Sequence, residues 1–267
     1  MSEVPDFGAL LSVHHLNCGS FHPTKSLSLV THVLACEFES GGVVLVDTGI
    51  GQIDIQNRKR RLGTSLAGTR PALRMSETAA HQLADLGLDQ RVDLIVSTHL
   101  DVDHIGGAAD FPSASVAVCA EELESARRKR TVREKIRYRT PHLHDIRARV
   151  KPIDTSSPHL TELAIGLHGV RMEASGTVWL VPMPGHTRGH AAVALNLGDG
   201  WLVHAGDAYF DRRSIALGPT EPPSSLLMRA EKLLAIQPKA VASNHKTLHQ
   251  LAAQGVQVIC SHDPADM

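Results

Sequence analysis

Short runs of aliphatic residues recur along the chain, and each run ends in glycine, proline or a polar cluster. Such bounded runs are typical of buried strands. Six segments are predicted to contain strands: Gly41–Gly51, Val92–Leu100, Ser115–Ala120, Val178–Gly185, Ala191–Asp207 and Val256–Asp263. The fifth segment predicts a hairpin, because Gly198, Asp199 and Gly200 interrupt it with turn residues.

Apolar residues at three- and four-residue spacing lie between these strands and predict helices. The predicted helices are Ser76–Leu86, Glu121 to about Tyr138, Ser224–Ile236 and Thr247–Gln254. Pro238 follows the third helix by two residues and indicates its end. Strands mixed with helices along residues 1–267 predict a single α/β domain in which helices cover the sheets.

Composition narrows the functional classes. A hydrophobic content of 42% supports a sizeable core, and a formal net charge of −1 gives no reason to expect nucleic acid as a partner. The 17 histidines raise the expectation of a metal site. The four cysteines form no CxxC pair, which argues against a cysteine zinc site and fits a cytoplasmic protein. No signal peptide and no membrane span are expected.

Polar residues follow the predicted strands at the points where the strands end. In "THLDVDHIGG", the residues His99, Asp101 and Asp103 alternate and can face one point, and His104 joins them from another angle as Gly106-Gly107 turns the chain. Imidazole and carboxylate groups suit zinc, iron or manganese. The alternative interpretation is a polar strand-to-helix loop with an Asp N-cap.

Further potential ligands follow other strands: His186 and His190 in "PGHTRGH", Asp207 in "HAGD" and His262 in "SHD". A single His or Asp at a strand end is more often a cap, but together these residues suffice for two metals that share a carboxylate. His245 and His249 are spaced i, i+4 and compete for the last ligand position. We interpret this pair as a solvated helix face.

The ordered motifs "VDTG", "THLDVDHIGG", "PGHTRGH", "HAGD" and "SHD", from Val43 to Asp263, resemble those of the metallo-beta-lactamase superfamily. The resemblance implies an αββα sandwich, two facing mixed sheets flanked by helices, with two divalent metal ions at one edge. It implies one metal held by His99, Asp101 and His186, a second held by Asp103, His104 and His262, and a bridging Asp207. It also implies that Asp47 supports the ligands without binding a metal, and that His190 supports the loop in which it lies or steers the substrate.

Position 101 departs from the family pattern, because most members read HxHxDH and this chain reads HxDxDH. We expect Asp101 to ligate through oxygen, which makes the site more negative and favours manganese or iron more than histidine does. The alternative is that its shorter reach leaves this metal site weak. Zinc is the expected metal, with manganese or iron as alternatives.

The implied reaction is hydrolysis, in which a metal-bridging hydroxide attacks a carbonyl and Asp103 accepts or relays the proton. A lactone or carboxylic ester is the expected substrate. The alternatives are a thioesterase of the hydroxyacylglutathione hydrolase type and a non-catalytic binding protein on the same fold. Tyr209 is a candidate to bind the developing oxyanion, although it lies two rather than three positions after the bridging Asp207.

Residues 121–150 form a basic segment that we interpret as a helical cap, whose arginines could hold an anionic group of the substrate. Basic runs are otherwise solvated helix faces, so we expect a small-molecule substrate and neither a nucleic-acid nor a membrane partner. The sequence leaves the oligomeric state open, with a homodimer as one candidate because homodimers are common among similar enzymes.

Overall fold

The first half of the chain builds one six-stranded sheet. A computed structural model describes residues 4–156, 158–218 and 222–267. The strands of this sheet lie in chain order and are β1 (Leu10–Thr24), β2 (Leu27–Phe38), β3 (Val43–Val46), β4 (Val92–Val96), β5 (Ser115–Cys119) and β6 (Val150–Ile153). The first three strands pair antiparallel and the last four pair parallel, so the sheet is mixed.

The second half of the chain builds a second six-stranded sheet. Its strands are β7 (Thr161–Glu162), β8 (His168–Arg171), β9 (Val178–Pro182), β10 (Ala191–Asn196), β11 (Trp201–His204) and β12 (Gln257–Ile259), and their order runs from β12 at one edge to β7 at the other. Among the described strands of this second sheet, only β11 and β12 pair parallel. The predicted hairpin is therefore formed by β10 and β11.

Helices cover the outer face of both sheets. They are α1 (Gln52–Gln56), α2 (Arg58–Arg61), α3 (Ala79–Asp85), α4 (Val102–Ile105), α5 (Ala120–Arg128), α6 (Val132–Arg137), α7 (Thr140–Ile146), α8 (Ser225–Leu234) and α9 (Pro238–Ala253). Within the described ranges, no helix is long and apolar enough to span a bilayer.

Three apolar layers hold the elements together. In β3, Val44 and Val46 face the second sheet, where they meet Val193, while Val43 and Leu45 face the helices on the outside. Both faces of this strand are covered, which explains its uninterrupted apolar run. The outer layer of the second sheet packs against α9. The predicted αββα sandwich is thereby confirmed.

Several predicted boundaries were wrong for physical reasons. The predicted helix from Glu121 to Tyr138 is divided into α5 and α6, because Lys129 adopts a left-handed conformation with φ of 48°. The helix predicted from Thr247 begins at Pro238, since the fixed φ of proline suits the first turn of a helix. The long ribbon of β1 and β2 was not predicted, because half-buried polar residues alternate irregularly along β1.

Candidate metal centre

The parallel strands β3 and β4 end side by side, and a buried carboxylate ties their ends together. Asp47 follows β3 in the left-handed region at φ 60°, which aspartate tolerates better than most residues. Its Oδ1 accepts a hydrogen bond from the backbone N–H of Thr98 at 2.8 Å, and its Oδ2 accepts one from the Thr98 hydroxyl at 2.7 Å. The loop that begins at His99 therefore leaves the sheet in a fixed direction.

The first cluster of potential ligands joins loops from both sheets. One ligand atom each of His99, His186 and Asp207 lies within 4.8 Å of the others. Asp101 Oδ2 lies 3.4 Å from His99 Nε2 and 3.2 Å from His186 Nε2. Ligand atoms around a tetrahedral zinc ion with bonds of about 2.0–2.1 Å are roughly 3.3 Å apart. These distances are compatible with Asp101 as a further ligand of this cluster, and that role stays a prediction.

The second cluster lies beside the first and contains Asp103, His104 and His262, whose ligand atoms are likewise within 4.8 Å of one another. The Nε2 atom of His262 is 3.9 Å from Asp103 Oδ2. Its Nδ1 atom donates to the backbone carbonyl of Val30 at 2.7 Å, and this bond directs Nε2 into the cluster. The Nδ1 atom of His104 is 2.8 Å from Asp47 Oδ2, which orients that ring in the same way.

Asp207 lies between the two clusters and offers one oxygen to each. Its Oδ2 is 3.3 Å from His186 Nε2, and its Oδ1 is 3.3 Å from His104 Nε2 and 3.2 Å from His262 Nε2. The Nε2 atoms of His99 and His104 and the Oδ1 atom of Asp207 are buried without a hydrogen-bond partner among the described residues. Buried polar atoms need partners. A pair of divalent cations fits this donor set, and the individual ligand assignments stay predictions.

The charges of the site also suit bound cations. Burial opposes ionisation of Asp207, yet the surrounding imidazoles of His262, His104 and His186 hold its pKa well below the usual range. Burial likewise favours the neutral ring of His104, but the carboxylates of Asp207 and Asp47 raise its pKa well above the ordinary value. Burial and the nearby Arg137 lower the pKa of His186 to about 4, so this ring is neutral and free to ligate at pH 7.

Arg137 enters the site from helix α6. Its Nη1 lies 2.9 Å from Asp101 Oδ2, and the side chains of the two residues are 6% and 16% exposed. Its Nη2 donates to the backbone carbonyl of Leu234 at the end of α8, at 2.9 Å. Burial alone would raise the pKa of Asp101, but Arg137 and His99 hold it well below the usual range.

Glu122, in the first turn of α5, fastens the two loops of the first cluster to each other. Its Oε1 accepts from the backbone N–H of Leu100 at 3.0 Å, and its Oε2 accepts from the Thr187 hydroxyl at 2.6 Å and from the Gly189 N–H at 3.3 Å. Every one of these groups is buried, so water does not substitute for the carboxylate.

An apolar cavity of about 450 Å³ opens onto both clusters. Asp101, Asp103, His186, Asp207 and His262 line its inner end. Its walls come from β1, β2, the 65–69 loop, α6, α8 and the loop that follows Asp207. They include the apolar residues Phe21, Leu29, Leu66, Ile136, Phe210, Leu227 and Leu233. Within the predicted cap at 121–150, only α6 lines the cavity, since α5 and α7 pack on the first sheet. Helix α8 lines the cavity beside α6.

Some predicted residues lie away from the cavity. Tyr209 is fully buried and its hydroxyl donates to Asp266 at 3.4 Å, so it does not reach a bound substrate. Because Tyr209 follows Asp207 by two positions rather than three, its ring packs in the outer core. His190 is also buried: its Nδ1 donates to the Met183 carbonyl, and its Nε2 accepts from the N–H of Asp207. It therefore supports the loop and does not steer substrate.

The interpretation of His245 and His249 as a solvated helix face holds only for His249, which is exposed, whereas His245 is half-buried. The Nε2 of His245 is 3.1 Å from both the Ala208 carbonyl and the Glu231 carboxylate, and the Nδ1 of His249 donates to the Ile215 carbonyl at 3.0 Å. The two histidines thus hold the chain that follows Asp207 against α9. The roles of Arg137 and Glu122 were not predicted, because nothing in the local sequence distinguishes these residues from their exposed neighbours in basic and acidic runs.

Comparison with known proteins agrees with this architecture. The profile of the metallo-beta-lactamase superfamily matches residues 31–245. The chain belongs to this superfamily. Probable metallo-hydrolases of Mycobacterium bovis and Mycobacterium tuberculosis are each 39% identical to it over 264 residues, which cover 96% of this chain and 82% of the relative.

Solved structures of the superfamily share the fold. A variant of AiiA from B. thuringiensis, with N-decanoyl-L-homoserine bound at its active site, is 21% identical, with a TM-score of 0.66 over 98% of this chain and 95% of its own. AidC, a dizinc quorum-quenching lactonase, is 17% identical, with a TM-score of 0.55 over 89% of this chain and 74% of its own. At these identities, the likeness shows the common fold of the superfamily.

Proposed function

We propose that this protein is a metal-dependent hydrolase of lactones or carboxylic esters that carry an apolar acyl group. The observation that carries the proposal is the cavity of about 450 Å³, whose walls are apolar and whose inner end is formed by the two ligand clusters. A cavity of this kind binds an apolar group in its body and presents a reactive carbonyl to the polar end.

Zinc is the metal we propose, with manganese and iron as alternatives. Four imidazoles and three carboxylates converge on the site, and all of these ions accept such donors. That AidC is a dizinc lactonase supports zinc. The lactone-hydrolysing neighbours also support a lactone as substrate, whereas the apolar acyl group is inferred from this chain's own cavity wall.

Bound divalent ions would supply an activated water at neutral pH and polarise the carbonyl of the substrate. The residues of this chain provide the rest of the mechanism. The two oxygens of Asp207 fix the separation of the clusters. Asp103 lies at the inner end of the cavity, where its carboxylate accepts the proton that the attacking water loses. Phe21, Phe210 and Leu227 exclude bulk water and align the acyl group.

The test combines metal analysis with a substrate panel. The full chain is stripped of metal, reloaded with Zn, Mn or Fe, desalted and analysed by inductively coupled plasma mass spectrometry. Its kcat/KM is then measured on lactones, p-nitrophenyl esters and thioesters of matched acyl length. We expect about two metals per chain and the highest kcat/KM on lactones or esters with longer acyl groups.

Asp103→Asn should lower kcat by about 100-fold or more, as expected for loss of a general base. The matched control is Asp199→Asn, because Asp199 is exposed in the turn between β10 and β11, at the opposite end of this hairpin from Asp207. A protein that retains no metal would refute the proposal and favour a binding protein. A faster reaction on thioesters than on every lactone and ester would favour the thioesterase alternative.

A further inference from the structure

The metal site contains one charged side chain that the hydrolysis mechanism above does not use. Arg137 is 6% exposed at its side chain, and its Nη1 lies 2.9 Å from the Oδ2 atom of Asp101. That same oxygen lies 3.2 Å from His186 Nε2 and 3.4 Å from His99 Nε2. A single carboxylate oxygen therefore faces both the guanidinium and the place that a metal would occupy.

The two residues together carry no net charge. An aspartate at position 101 adds one negative charge to the first cluster, where a histidine would add none. The guanidinium of Arg137 contributes one positive charge next to the Oδ2 atom of Asp101, so it compensates that negative charge in a buried environment where charges interact strongly. Arginine is suited to this task, because it stays charged when buried and binds carboxylates with a planar group.

We propose that Asp101 and Arg137 act as one charge-neutral unit at the first cluster, in which Arg137 offsets the negative charge of Asp101 and thereby sets the affinity of the site for a divalent cation. This inference rests on the metal site of the proposed function. It alters the expectation from the sequence, in which Asp101 makes the site one charge more negative. It also links the site to the cavity wall, because Arg137 Nη2 is bonded to the carbonyl of Leu234.

The sign of the effect on metal binding separates this role from a purely structural one. Arg137→Met keeps the length of the side chain and removes a positive charge beside a dication, so zinc binding should become tighter by about tenfold or more. Loss of packing alone would weaken zinc binding. Asp101→His leaves the guanidinium without its partner and should weaken zinc binding by a similar factor.

The double variant Asp101→His/Arg137→Met completes the cycle and should bind zinc about as well as the unaltered chain. The expected order of affinity is therefore Arg137→Met first, the unaltered chain and the double variant next, and Asp101→His last. Arg137→Lys, which keeps the charge, should stay close to the unaltered chain.

Arg133→Met is the matched control. Arg133 lies one turn before Arg137 on α6, lines the same cavity and likewise donates to a carbonyl of the α8 terminus, that of Ala235 at 3.0 Å. It is exposed and forms no ion pair with Asp101, so its loss should leave zinc affinity unchanged.

Zinc affinity is measured on the full chain by competition with a chromophoric chelator, and stoichiometry by mass spectrometry. The unfolding midpoints of the metal-free and zinc-loaded forms are measured in parallel. Arg137→Met should lower the first midpoint, because Asp101 then loses the cation that pairs with it, and should enlarge the gain that zinc produces.

Weaker zinc binding by Arg137→Met, with a double variant no better than Asp101→His, would overturn the inference. That result would leave the proposed function intact if the unaltered chain still binds two metals and hydrolyses its substrates. Failure of the unaltered chain to bind zinc, manganese or iron would overturn both proposals, and the two failures are thus distinguishable.

Discussion

The carboxylate of Glu122 accepts a hydrogen bond from the Thr187 hydroxyl at 2.6 Å. Because it also accepts one from the Leu100 N–H, it connects the loop of His99 with the loop of His186. Glu122→Ala leaves three buried donors unsatisfied, and we expect it to lower the free energy of unfolding by roughly 3 kcal/mol. Zinc affinity should fall as well, because the two histidines lose their relative position. Denaturant unfolding and zinc titration measure both effects.

Glu121→Ala is the matched control for this change, since Glu121 lies in the same helical turn but is exposed. Equal losses in the two variants would show that the effect belongs to helix α5 and not to the loops.

Asp47 orients His104 through the contact between Oδ2 and Nδ1 at 2.8 Å. Asp47→Asn keeps the shape and tolerates the left-handed backbone, but it removes the negative charge behind the ring. We expect the second cluster to bind zinc 10- to 100-fold more weakly, roughly as for other groups that support metal-binding histidines. Zinc titration should then resolve one tight and one weakened site, whereas Asp93→Asn, at the exposed second position of β4, should leave both unchanged.

Asp110 gives the stability of the protein a dependence on pH. Burial raises the pKa of its carboxyl to about 6, and the carboxylates of Asp54 and Asp145 add to the increase, while the N–H of Gln52 and the charge of Arg61 oppose it. The folded chain therefore binds more protons than the unfolded chain between roughly pH 4 and 6. The contribution of Asp110 to stability is fully present below this window and is lost as the pH rises through it.

Asp110→Asn removes this dependence and retains an oxygen for the N–H of Gln52. Its free energy of unfolding relative to the unaltered chain should rise between pH 4 and 6 and stay constant at higher pH. Denaturant unfolding across this range is the measurement, with the exposed Asp85→Asn as the control. A difference that does not change with pH would contradict the prediction.

Ile136 lines the cavity from α6 and is 45% exposed, so a larger side chain fits there without disturbing the core. Ile136→Trp should narrow the path of a long acyl group and lower kcat/KM for long-chain esters by about tenfold. Acetyl esters should react as before. Val132→Trp, on the same helix, 72% exposed and outside the cavity wall, should change neither rate.

Tyr209 donates to Asp266 and lies in the outer core, away from the cavity. Tyr209→Phe should therefore leave kcat and KM unchanged and lower the free energy of unfolding by about 1 kcal/mol. A large fall in kcat with unchanged stability would restore Tyr209 as a catalytic candidate.

The residues that the structure brings together in the two clusters stand out in the sequence for a physical reason, and their roles as ligands stay predictions. Strands such as β3 and β4 are covered on both faces, so they appear as unbroken apolar runs, and the polar residues that end them stand out. The resemblance of the ordered motifs to those of the superfamily implied that Asp207 and His262 lie beside His104. The structure places them there.

Other features could not be predicted because they depend on distant contacts. The pairing of Arg137 with Asp101 joins residues from separate elements, and the local sequence gives Arg133 and Arg137 the same appearance. Tyr209 was misplaced because one step along the chain after a strand reverses the direction of a side chain. The β1–β2 ribbon is stabilised mainly by pairing between strands, which leaves little periodic signal.

His262 is oriented by the carbonyl of Val30, a residue 232 positions earlier in the chain and part of the opposite sheet. The ring can adopt its direction only after the two sheets have come together. Contacts between such remote positions form late and slow the folding of a chain. Completion of the second cluster is therefore a marker of a late folding step, and the rate at which the refolding chain captures zinc should report the docking of its two halves.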